Sequence, residues 1–169
     1  MNITLIGMAG VGKSYIGKKL ADHLDYLFID TDRLIEDKTQ LKLQQIVDDK
    51  GDEHFIKIEE EIILGLNHTE DSIFSTGGSV VYSEKAMDFL KEKSVVVYLD
   101  DLFENIEKRL ENASVRGIVG FKDNSIRVLF EERSALYEKY ADFAVKLPEK
   151  ADFKDVLVEI VEKIPLFEK

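Results

Sequence analysis

An α/β fold, one five-stranded parallel sheet with helices on both faces, is what the sequence predicts, and three observations carry that prediction. Short β-branched runs alternate with longer stretches whose apolar residues follow a helical period. The stretches between runs are long enough for the crossovers that parallel strands need. A chain of 169 residues, 44% hydrophobic and 34% charged, suits a single folded domain spanning 1–169 rather than two.

The strands are expected at 3–6, 27–29, 73–74, 95–99 and 143–147, each a brief β-branched or aromatic run. The run 95–99, Val-Val-Val-Tyr-Leu, has no alternating polar residue and suits a strand covered on both faces. Helices are expected between the strands, at 16–24, 55–66, 86–91, 102–110 and 126–140, where apolar residues recur three and four apart. The segment 112–124 contains two glycines and few large apolar side chains, and reads as a mobile lid.

Composition narrows the function. A formal net charge of −11 repels polyanions, so no nucleic-acid partner is expected. With no cysteine there is neither a disulfide framework nor thiolate chemistry, as suits a reducing, cytoplasmic setting. The start, Met1-Asn2-Ile3-Thr4-Leu5, lacks the basic region of a signal peptide, and no apolar run reaches the ~20 residues of a membrane helix. A small-molecule substrate and a monomeric state are expected.

Ligands of such sheets gather beyond the carboxyl ends of the strands. There the first strand runs into Gly7-Met8-Ala9-Gly10-Val11-Gly12-Lys13-Ser14, which fits G-x-x-x-x-G-K-[ST] between a strand and a helix. Glycines allow successive backbone N–H groups to face a phosphate, and the following helix adds its positive end. This predicts a P-loop NTPase fold that binds ATP with Mg²⁺. Gly10, Val11, Gly12, Lys13, Ser14 and Tyr15 are the candidate nucleotide-binding residues, with Lys13 on the terminal phosphates and the Ser14 hydroxyl on the metal.

The second strand ends in Asp30-Thr31-Asp32. Two acids one residue apart in an extended segment face the same way and could serve Mg²⁺-bound water and a substrate hydroxyl. An aspartate there is as readily a helix N-cap.

In order along the chain, the phosphate loop, Asp30-Thr31-Asp32 with Ile35-Glu36, Gly51 with Phe55 and Glu59, Ser75-Thr76-Gly77-Gly78, Val97-Tyr98-Leu99, Arg116, Glu132-Arg133 with Leu136-Tyr137, and Ala141-Asp142 resemble the shikimate kinases. The resemblance implies ATP-dependent phosphorylation of shikimate on a hydroxyl. It implies that Asp30 helps hold Mg²⁺ through water, that Asp32 orients and accepts from the attacking hydroxyl, and that Gly77 and Gly78 offer N–H groups near the γ-phosphate. It places Glu59 and Ser79 on the acceptor side, Arg133 against a substrate carboxylate, Arg116 in a closing lid and Arg109 near the adenine.

Three positions depart from the family pattern. Ile56 stands where an arginine usually helps clamp the substrate carboxylate, Ser79 replaces a third glycine, and Gly117 follows Arg116 where proline is usual, implying a more flexible hinge. Loss of one charge-assisted hydrogen bond, worth roughly 1.5–3 kcal/mol, lowers affinity for a carboxylated acceptor about tenfold to a hundredfold. The departures therefore leave open a kinase of another polyol or nucleotide, or a nucleotide-binding regulatory module. A motor-type ATPase is a further alternative, in which Asp100 after the fourth strand would hold Mg²⁺ in place of Asp30.

Overall fold

The structure, a computed structural model, describes residues 1–67, 69–111, 117–147 and 153–166. Strands β1 (Asn2–Ile6), β2 (Leu27–Asp30), β3 (Ser72–Ser75), β4 (Ser94–Asp100) and β5 (Phe143–Lys146) form one parallel sheet in the order β2-β3-β1-β4-β5. The central strand is β1, with Leu5 opposite Ser75 on one side and Val97 on the other. All of β1 is buried, and because side chains alternate along a strand, both faces of the sheet are covered. The five strands expected from the sequence are all present.

Helices α1 (Lys13–Leu24), α4 (Asp52–Leu64), α5 (Glu84–Lys93), α6 (Phe103–Glu111) and α7 (Ile126–Tyr140) occupy the expected intervals. Three more were not foreseen: α2 (Thr31–Thr39), α3 (Leu43–Lys50) and α8 (Phe153–Lys163). The first two are short, and each buries only two residues, Thr31 and Ile35 in α2 and Ile46 and Val47 in α3. Nine and eight residues make little more than two turns, too few repeats for a period to stand out in the sequence.

Thr31 donates to Ser75 O at the end of β3, but the three apolar residues do not join the main core around the sheet. Ile35, Ile46, Val47 and Phe55 form a second, smaller cluster with Val119, which comes from the segment read as a lid. Arg116 lies outside the described residues, as does all of 112–116. The part that is described, 117–124, is docked on α3 and α4. Gly117 N donates to Gln44 Oε1 at 2.7 Å, Gly120 N donates to Asp52 Oδ2 at 2.7 Å, and Val119 is buried.

Gly117, expected as a hinge, serves a close approach. Its φ is 40°, and a Cβ there would lie 2.7 Å from the Leu43 carbonyl carbon. The neighbouring Lys122–Asp48 ion pair, 2.8 Å long, is exposed at both ends, where water and salt screen it, and adds little.

Candidate active site

The phosphate loop leaves the end of β1 and turns into α1 through Gly10 at φ 81° and Gly12 at φ 102°, a conformation that only glycine adopts without strain. Val11 within the loop is buried, and Tyr15 in the first turn of α1 sets its ring at a tilt against Phe153, centroids 4.8 Å apart. Lys13 folds back over the loop, its Nζ donating to the carbonyls of Gly7 at 2.7 Å and Met8 at 2.9 Å. Burial lowers its pKa to about 8, partly offset by Asp32. The ammonium thus stands at the loop's mouth with little water around it.

The N-cap reading of Asp30 holds, and its second carboxylate oxygen faces Ser14. Oδ1 accepts from Asp32 N at 3.1 Å and caps α2, while Oδ2 accepts from Ser14 Oγ at 2.8 Å. Ser75, to which the sequence assigned no role, joins them with its Oγ 3.2 Å from Ser14 Oγ. A hydroxyl and one carboxylate are hard oxygen donors, too few for an all-protein cage and suited to Mg²⁺, which keeps waters and phosphate oxygens as its other ligands. Among the described residues no group of three metal-binding side chains exists.

Asp32 does not lie in an extended segment, as the spacing had implied, because α2 begins at Thr31. The helix turns Asp32 inward, away from the Asp30 carboxylate's own contacts. Its Oδ1 is buried and has no partner, and Oδ1 of Asp32 and Oε1 of Glu59 are the two such atoms among the described residues. Burial, opposed by Lys13, raises the Asp32 pKa to about 6.

Glu59, Glu60 and Glu61 do not share a face. Glu61 is exposed and paired with Lys38, Glu60 accepts from Ser83, and Glu59 is buried. Ser79 Oγ donates to Glu59 Oε2 at 2.7 Å, and burial together with the nearby Asp32 pushes the Glu59 pKa up to about 8. Folded Glu59 therefore keeps a proton that the unfolded chain releases near the ordinary value of 4.5. The folded state binds more protons across that window, so stability of the ligand-free protein falls as pH rises through it. Asp32 contributes between 3.8 and about 6, and Glu59 across the whole span from 4.5 to about 8, alone in its upper part. Melting temperatures recorded from pH 6 to 8 should fall for the wild type and stay flatter for Glu59→Gln; parallel curves would refute the assignment.

Gly77 and Gly78 lie between these groups. A Cβ on Gly77 would collide with Glu59 Oε1 and sit 2.8 Å from Asp32 Oδ1, and one on Gly78 would lie 3.1 Å from Arg133 Nη1 and 3.3 Å from Ala9 N. The glycine pair thus lets Glu59, Asp32 and Arg133 close in on the turn after β3, beside the phosphate loop at Ala9. Arg133 is no surface residue: Nη2 donates to Val119 O at 2.6 Å, Nε donates to the Tyr82 hydroxyl at 3.2 Å, and the guanidinium stands 5.2 Å from the Tyr82 ring centroid. Tyr137, whose hydroxyl donates to Gly78 O at 2.6 Å, fixes the turn from behind; its place in the sequence gave no sign of that contact.

Arg109 is tied down on the far side of the loop. Its Nη1 donates to Asp101 Oδ2 at 2.7 Å and to Gly10 O at 3.2 Å. Asp100, the alternative metal residue, accepts from the Tyr98 hydroxyl at 3.2 Å, whereas Ser14 pairs with Asp30.

The family model for shikimate kinase matches residues 9–165. The chain belongs to the shikimate kinase family. Shikimate kinase from Sulfurihydrogenibium sp. is 34% identical over 163 residues, covering 96% of this chain and 97% of the relative, and that of Aquifex aeolicus is 33% identical over 162 residues, covering 95% and 96%. Among solved structures, shikimate kinase from Acinetobacter baumannii in complex with shikimate superposes with a TM-score of 0.85 at 27% identity, covering 98% of this chain and 93% of that one. Shikimate kinase from Aquifex aeolicus gives a TM-score of 0.83 at 33% identity over 99% and 100%. Membership of the shikimate kinase family makes the chain a small-molecule kinase that uses ATP. No helix among the described residues is long and apolar enough to cross a membrane.

Proposed function

We propose that this chain phosphorylates shikimate with ATP and Mg²⁺, giving shikimate 3-phosphate. The observation that carries the reading is the convergence of two carboxylates on the Lys13 ammonium: Asp30, which is bonded to Ser14, and Asp32, whose unpartnered Oδ1 faces Gly77. ATP with Mg²⁺ supplies the transferable phosphoryl group and the charge that neutralises it.

Backbone N–H groups from Gly10 to Tyr15 hold the triphosphate, and Lys13 leaves its carbonyl partners to stand on the terminal phosphates. Ser14 and Asp30 hold the metal, Asp30 through water. Asp32 accepts from the attacking hydroxyl at Oδ1, orients it in line with the phosphorus and takes its proton as the new O–P bond forms and the bond to ADP breaks. The amides of Gly77 and Gly78 face the transferring group. Arg133 receives the substrate carboxylate, Arg116 closes from the lid, and Arg109 flanks the nucleotide base while bracing the loop through Gly10. Alcohol acceptors need this pre-positioning more than strong base catalysis, because the transition state is loose.

A phosphorylation assay with shikimate beside other cyclic polyols and nucleoside monophosphates tests the reading. Preferred turnover of shikimate is expected, and turnover of another member of the panel in its place would overturn it. In the same assay Ile56→Arg should lower KM for shikimate about tenfold to a hundredfold, by adding one charge-assisted hydrogen bond to the carboxylate. An unchanged KM would mean that the carboxylate is not held beside position 56. Lys57, the next cation along α4, is exposed and does not stand in.

A further inference from the structure

Ile56 and Glu59 lie three residues apart on α4 and so share one face of that helix. A cation at 56 would stand beside the Glu59 carboxylate; the isoleucine instead packs against the small cluster around Phe55. What holds Glu59 is the buried hydroxyl of Ser79, on Oε2. Oε1 is left without a partner, and so is Oδ1 of Asp32, although both converge over the α-carbon of Gly77. Buried acceptors are rarely left unsatisfied, and two at one point call for a ligand with two adjacent polar groups.

We propose that Ser79 fixes Glu59 so that Glu59 Oε1 and Asp32 Oδ1 together grip two neighbouring hydroxyls of the acceptor, Asp32 the one that is phosphorylated and Glu59 the one beside it. The inference rests on shikimate as the acceptor, in which the hydroxyl at C4 adjoins the reacting one at C3. Ser79 is then a positioning residue, and Glu59 is the specificity residue that it aims. A hydroxyl suits the place better than an ammonium group. Lys13 already sets positive charge near both carboxylates, Arg133 adds to it at Glu59, and burial keeps a proton on Glu59, so its partner must be able either to donate or to accept.

Steady-state kinetics with shikimate and 4-deoxyshikimate test the pair. Removing the C4 hydroxyl should cost the wild type on the order of tenfold to a hundredfold in kcat/KM. In Glu59→Met, an apolar replacement of similar length, the ratio between the two substrates should fall to near one. Glu59→Gln, which can still meet a hydroxyl, should keep most of the discrimination. Ser79→Ala should lower the ratio severalfold, with the shikimate loss falling on KM more than on kcat, and Ser79→Thr should restore it. A wild-type ratio in Glu59→Met overturns the proposal. Should that variant fail to fold, Ser79→Ala decides, since an equal effect on both substrates overturns it as well. A wild type that turns over neither compound would sink the shikimate reading itself, and this inference with it; turnover of both with unaltered ratios sinks only the inference.

Discussion

Lys13→Ala abolishes phosphoryl transfer, lowering kcat/KM for shikimate by about a thousandfold or more, the usual effect of removing a pre-positioned charge from a developing transition state. The protein should stay folded. The Lys13 ammonium is buried, with its pKa lowered to about 8, and its two hydrogen bonds go to carbonyls of its own loop, so deleting it removes a desolvated charge rather than a long-range support. An unchanged or raised melting temperature beside lost activity separates the catalytic role from a structural one. Turnover close to that of the wild type would show that the loop at 7–14 is not the phosphate site.

The second large effect is expected at Asp32. Asp32→Asn keeps the size and shape of the side chain but removes the group that accepts the hydroxyl proton, and kcat should fall by about a hundredfold to ten-thousandfold, within the range of general-base losses. Because Oδ1 has no protein partner, the substitution breaks no hydrogen bond at that atom and should leave the melting temperature level or higher. Measured together, kcat and melting temperature give a clear outcome: a variant with near-normal kcat would move the base elsewhere, with Glu59 the nearest other buried carboxylate.

Much of this was legible in the sequence, for identifiable reasons. Strands β1 and β4 are buried on both faces, β4 with an unbroken apolar run from Val95 to Leu99, and the phosphate loop is chemically restrictive enough to be read from eight residues. The short helices were not legible, since α2 commits only Ile35, and α3 only Ile46 and Val47, to a cluster completed by Phe55 and Val119 from other parts of the chain. Missing α2 also misplaced Asp32: the spacing of Asp30 and Asp32 was read in strand geometry, while the chain had already begun to coil. The contact of Ser79 with Glu59, across 20 positions, and the meeting of Glu59 with Asp32 at Gly77 depend on three segments that no local pattern relates.

The seat of Val119 has a mechanical consequence. Its side chain rests among Ile35, Ile46, Val47 and Phe55, and its carbonyl receives Arg133. Peeling the strip 117–122 away exposes that valine to water at a cost of about 1.5–3 kcal/mol and frees the guanidinium in the same movement. The packing of one aliphatic side chain and the anchoring of a buried guanidinium are thereby geared to one another, so that neither can loosen without the other.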